Sequence, residues 1–264
     1  MPTVDDNKEN WDGRYQWVNK GDEWSTAWGG PSMQWYGTIL PRIQNFLPTD
    51  SILEIACGYG RWTQFLKDMC SNLTVIDISE DCIQACRQRF SEYNNIEYHV
   101  NDGKSLDMLP TASVDFIFCF DSLVHADEST MKAYLSQMNR VLKDEGSVFI
   151  HHSNLGAYYS NLRIQKFPKV ERLLRQLMIL EKNSHWRDLG VSAQIVEELS
   201  EEFGMKCISQ EVVPWGTKRA LIDCFSTIVK NTSSLVRVNR VLRNTKFMHE
   251  VRRLDQLSRL YSLD

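Results

Sequence analysis

Leu53-Glu54-Ile55-Ala56-Cys57-Gly58-Tyr59-Gly60-Arg61 decides the fold. Ser51–Ala56 is an apolar run of strand length. The chain then turns through Gly58 and Gly60 and takes up a helical pattern to about Cys70, with Trp62, Phe65, Leu66 and Met69 at helical spacing. A strand that bends through glycines into a helix sets bare backbone against a ligand. The third glycine of a dinucleotide-binding turn would fall at Thr63, and it is absent.

Downstream, the pattern repeats. Leu73–Ile78 (LTVIDI) is a second β-rich run, after which Ser79 caps a helix whose first turn carries Glu80 and Asp81. Ile96–Val100 reads as a third strand and Val114–Phe120 as a fourth. A helix is predicted over 128–142 and a fifth strand over Ser147–His151. Apolar strands alternating with helices imply a parallel sheet covered on both faces. A longer insertion, 154–190, follows, with a helical stretch over 170–181 and the polar group His185–Trp186–Arg187–Asp188. Ser192 caps a helix that Gly204 ends. Met205–Val213 and Ala220–Val229 read as a hairpin at the sheet edge, and 235–264 as a basic amphipathic helix. Upstream, residues 1–10 read as disordered. Residues 11–50 are rich in aromatics, with helix expected at 11–19 and 33–46; Trp11, Trp17, Trp24, Trp28 and Trp35 crowd this head.

Bulk properties narrow the function classes. The chain has 264 residues, a formal net charge of −4 and ordinary hydrophobic content, 42%. Mild acidity argues against nucleic acid as the main partner. The 7 cysteines are scattered and odd in number, which argues against a disulfide framework. The acidic start MPTVDDNKEN is neither a signal nor a transit peptide, and no apolar run approaches the ~18 residues of a membrane span. A cytoplasmic location is the expectation.

Carboxylates follow the strands. Asp77 ends the second strand, where it can accept hydrogen bonds from both hydroxyls of a ribose. Asp102–Gly103 follows the third strand, where a carboxylate can reach an adenine amino group. Glu54, near the end of the first, can orient the glycine turn or reach an ammonium group through water.

Together these pieces resemble the class I S-adenosylmethionine (SAM)-dependent methyltransferases. An acidic residue followed by x-G-x-G matches Glu54, Gly58 and Gly60. The acid closing strand two matches Asp77, and the acid after strand three matches Asp102. The apolar fourth strand entering the active site matches Phe116–Phe120, followed by Asp121. Cys57 departs from the small or polar residue many members carry. The resemblance covers about residues 50–152, more loosely to 230. It implies a Rossmann-like α/β fold: a seven-stranded, mostly parallel sheet with helices on both faces. A Trp-rich helical extension (1–50) precedes the main domain (51–230), whose 154–190 insertion is lid-like, and a basic helical tail (231–264) follows. It also implies SAM as cofactor, held by Glu54, Gly58, Gly60, Asp77, Ile78, Asp102, Gly103 and Phe120, with Trp28 from the head.

The activated sulfonium methyl needs alignment and exclusion of water, and a hydroxyl acceptor needs a base as well. Candidates beyond strands four and five are Asp121, His125 and His152. His151 and His152 point to opposite faces, and His152 is favoured because it lies nearer the strand end. Asp121, His152 and Asn154 lack the second acid of a metal-assisted site, so no metal is expected. Trp28 and its neighbours can close over SAM or a sugar ring. Arg187 suits a carboxylate or phosphate. The basic tail suits an oligomer contact or a membrane surface. The reading is O-methylation of a sugar-containing or small-molecule acceptor, as the resemblance to bacterial glycan methyltransferases implies. The rivals are an N-methyltransferase of a natural product, a non-catalytic interaction protein and a nicotinamide oxidoreductase.

Overall fold

The computed structural model describes residues 3–159, 187–216 and 220–262. The expected helix at 170–181 and the pair His185–Trp186 lie outside these residues.

Eight strands form one sheet in the order β3-β2-β1-β4-β5-β7-β6-β8. They are β1 Thr49–Ile55, β2 Cys70–Asp77, β3 Ile96–Val100, β4 Val114–Cys119, β5 Leu142–Ser153, β6 Met205–Val213, β7 Asp223–Lys230 and β8 Arg240–Arg243. Strands β1 to β5 pair in parallel, β7 is antiparallel to both β5 and β6, and β8 is parallel to β6. Strand order reverses between β1 and β4. That is where an open α/β sheet leaves a crevice beyond its carboxyl ends.

Side chains alternate along β4 and so build two cores. Ile117 and Cys119 pack with Val148, Ile150, Met131, Leu135, Met138, Val196 and Leu199. These bring the helices Glu128–Val141 and Ala193–Glu202 onto one face. Phe116, Phe118 and Phe120 enter the other core with Trp28, Trp35, Ile39, Phe149, Phe225 and Phe247. That core seats the head and the helix Phe247–Tyr261 on the opposite face. The head is thus pinned by large buried rings; Trp35 stacks on Phe65 at 4.9 Å and is fully buried.

Several expectations need correction. The sheet has eight strands, because Arg240–Arg243, expected to be helical, pairs with β6. Asn239 and Asn244 donate side-chain hydrogen bonds to Gln210 and Glu211 at either end of this strand. The β6–β7 hairpin is consequently not the sheet edge. Residues 4–9, expected to be disordered, are helical. Thr3 caps them, its hydroxyl accepting from Asp6 N while the Asp6 carboxylate accepts from Thr3 N. The helix expected over 11–19 is a turn of Asn10–Arg14 that breaks at Gly13. The helix after the glycine turn is only Thr63–Leu66, and Cys70 already belongs to β2. Among the described residues no helix is long and apolar enough to cross a membrane, and all seven cysteines are free thiols.

Candidate cofactor and acceptor site

A cavity of about 520 Å³ opens beyond β1, β2 and β4, within the range of small-molecule sites, roughly 300–1,000 Å³. Its floor begins at the glycine turn. Gly58 adopts φ +53°, which lets its N–H donate to Asp77 Oδ2 at 2.9 Å. Ser79 N donates to Asp77 Oδ1 at 3.0 Å. Each oxygen keeps acceptor capacity, and Asp77 lines the cavity. Burial pushes its carboxyl up to about 6, against the downward pull of those backbone donors. Ile78, Gly103, Phe120 and Trp28 also line the cavity.

Three expected cofactor residues lie off its walls. Gly60, at φ +85°, is needed for packing: a Cβ there would come within 2.4 Å of Phe90. Glu54 is buried beneath the turn, where its Oε2 accepts from the Thr63 hydroxyl at 2.6 Å and its Oε1 has no partner. Burial pushes its carboxyl up to about 8, so at neutral pH it braces the turn largely as a neutral acid. Asp102 turns one oxygen into its own loop, Oδ1 accepting from Ser105 N at 2.6 Å and Lys104 N at 2.9 Å.

The head forms the roof. Trp17 stacks on Tyr59 at 4.5 Å and 13°, directly over Gly58. Trp11 and Tyr15 pack with it, Trp24 stacks on Tyr15, and Val4 rests against Gly103. Nothing local in the sequence singles out Trp11, Tyr15 or Trp17 as a binding residue. The density of indoles was the available signal.

The far end of the cavity is charged. Asp121, at φ +66°, accepts from Arg61 Nη2 at 2.9 Å. Arg61 is 9% exposed, lies over the Trp62 ring at 4.6 Å, and has a fully enclosed Nη1 without a partner. His125, on the 3₁₀ turn Leu123–His125, lines the same end, its ring 6.2 Å from Trp11. Arg187 lines it as well.

A buried chain of polar groups sits behind this end. Asp121 N donates to His151 Nδ1 at 3.1 Å. His151 Nε2 must then carry the ring proton and donate to Asp223 Oδ2, at 2.9 Å. Arg187 closes the chain, donating from Nε to Asp223 Oδ1 and from Nη2 to Oδ2 at 2.7 Å. Burial alone would raise the Asp223 carboxyl; Arg187 and His151 overcome it and bring it down to about 2.

His152, favoured in the sequence over His151, faces the wrong way. It is fully buried, with Nδ1 bonded to Ser153 O and Nε2 to the Ser226 hydroxyl, both at 2.8 Å. Burial lowers its imidazole to about 4. The face on which a strand residue points outweighs its distance along the strand. Among the described residues no cluster of His, Cys, Asp and Glu is disposed to hold a metal.

Residues 52–146 match a family model described as a methyltransferase domain. The chain is 25% identical over 173 residues to the ubiquinone biosynthesis O-methyltransferase of Xanthomonas oryzae pv. oryzae, spanning 64% of this chain and 70% of that one. It is 27% identical over 117 residues to phosphoethanolamine N-methyltransferase 1 of Zea mays, spanning 43% and 23% of the two. Magnesium protoporphyrin IX methyltransferase from Synechocystis PCC 6803, solved with bound S-adenosylhomocysteine, has a similar fold. The TM-score is 0.54 at 13% identity, over 85% of this chain and 98% of that one.

Proposed function

We propose that this chain, a class I SAM-dependent methyltransferase, methylates a hydroxyl oxygen of a small or sugar-containing acceptor bound at the charged end of its cavity. The residues present suit the cofactor. Asp77 has spare acceptor capacity for ribose hydroxyls, Gly58 and Gly103 bring bare backbone to the wall, and Ile78 supplies an apolar neighbour for the base. Arg61 Nη1, a buried donor without a partner, suits the carboxylate of the methionine tail.

SAM supplies a methyl group already activated on a sulfonium. What remains for the protein is to align an acceptor oxygen, exclude water and take up a proton. The rings of Trp11, Trp24, Trp28 and Trp215 on the wall exclude water and offer faces to a sugar or another flat acceptor. We assign His125 as the base that receives the hydroxyl proton, because it lines this wall and a ring nitrogen of imidazole can accept a proton. Asp121, held by Arg61, orients the hydroxyl. The observation that carries this reading is that His125 and the Arg61–Asp121 pair line the same aromatic cavity as Asp77.

The test is transfer of label from methyl-labelled SAM to a panel of sugar hydroxyls, phenols, carboxylates and amines. The expected product is an ether, stable to mild base. Label found only on nitrogen, or lost to base as an ester, overturns the hydroxyl assignment.

A further inference from the structure

The segment between β7 and the last helix has no place in the chemistry above. Val238 is 84% exposed, Leu242 58% and Val241 57%, and Leu235 and Val236 are also exposed. Arg237, Arg240, Arg243 and Lys246 are interleaved with them and exposed, and none has an ion-pair partner among the described residues. All four residues of β8 are exposed at the free edge of the sheet. A bare edge strand of aliphatics is normally blunted or covered. Here it stands open and cationic on a chain of net charge −4.

We propose that the Leu235–Arg243 ribbon docks the protein on an anionic lipid surface. Such a surface presents negative headgroups and an apolar phase in the same plane, so arginines and aliphatic side chains are satisfied together. A polyanion in water would take the arginines and leave Val238 and Leu242 wet. A second copy of the chain, added antiparallel across the free edge about the middle of β8, would set Arg240 opposite Arg243. The rest of the acidic molecule is repelled by the same surface, which fixes its orientation. The helix that follows, Phe247–Tyr261, contributes Met248 to the cavity wall, so the docked face and the acceptor site share a structural neighbour. The proposal does not depend on which atom is methylated.

The experiment is co-sedimentation of the full chain with vesicles of phosphatidylglycerol and phosphatidylcholine in equal parts, and of phosphatidylcholine alone. We expect sedimentation with the first only, weakened by salt. At roughly fivefold per cation, Arg240→Gln with Arg243→Gln should lower partitioning by about 25-fold. Val238→Ser with Leu242→Ser should lower it by about tenfold. Calorimetric binding of S-adenosylhomocysteine, unchanged in both pairs of variants, shows that they are folded and keeps this result separate from the cofactor site. The proposal is overturned if the wild type ignores the anionic vesicles, if neutral vesicles bind it equally, or if either pair of variants still partitions fully. A dimer in light scattering that the serine variants dissolve would also overturn it.

Discussion

Replacing Asp223 with Asn removes one negative charge from the buried pair that backs the cavity. Asp223 is fully buried, and Arg187 beside it is 4% exposed. The amide cannot satisfy both neighbours: in either orientation its NH₂ meets a donor, from His151 or from Arg187. Arg187 is then left as an uncompensated buried cation, a situation that costs about 3 kcal/mol. A second route gives a similar size. The Asp223 carboxyl falls from 3.8 to about 2 on folding, which corresponds to about 2 kcal/mol at neutral pH. A depressed carboxyl stabilises the fold fully above 3.8, and that contribution disappears as pH falls through about 2. Urea unfolding at neutral pH should therefore show a loss of about 3 kcal/mol, and heating a Tm lowered by roughly 6–12 °C. Arg187→Met should also destabilise, and the two changes combined should cost less than their sum, because the double variant leaves no lone buried charge. A loss below about 1 kcal/mol for Asp223→Asn, or strict additivity, would refute the idea that this pair is held by mutual charge compensation.

Affinity for S-adenosylhomocysteine should fall as pH drops below about 6, because ribose hydroxyls donate to the ionised form of Asp77, whose carboxyl titrates there; calorimetry across pH 5 to 8 checks this, and a flat profile contradicts it. In Asp77→Asn the pH dependence should vanish along with most of the affinity. His125→Ala should lower kcat by about 10²–10⁴ with S-adenosylhomocysteine affinity unchanged, measured by steady-state turnover and calorimetry; full activity moves the base elsewhere. Arg61→Met should bring S-adenosylhomocysteine affinity close to that of methylthioadenosine, which lacks the amino-acid tail, and leave methylthioadenosine binding intact. Equal losses for both ligands would make Arg61 a packing residue only.

Local patterns carried the strands and misplaced what depends on partners far along the chain. The glycine turn, Asp77 and the Ser79 and Ser192 caps are written within a few residues of themselves, and the helix starts stand where those serines imply. β8 pairs with β6 some thirty residues upstream, and nothing inside Arg240–Arg243 announces that partner. His151 gains its role from Asp223 and Arg187, neither of which is near it in sequence. Asp102 stands where an adenine contact is expected, and Lys104 and Ser105, two and three residues later, take up its Oδ1. Arg61 lies inside the deciding motif, but its role is not legible there, because only folding brings it beside Asp121.

Val4, Trp11 and Trp17 roof the pocket, yet what they touch lies as far along the chain as Gly103 and His125. As synthesis proceeds from the amino end, the ceiling therefore emerges long before the walls that will carry it. Such a distant pairing waits on slow loop closure. Until then the indoles of the head have only one another and Tyr15 to pack against. Closing the chamber therefore needs residues about a hundred positions apart in the chain to be in place together.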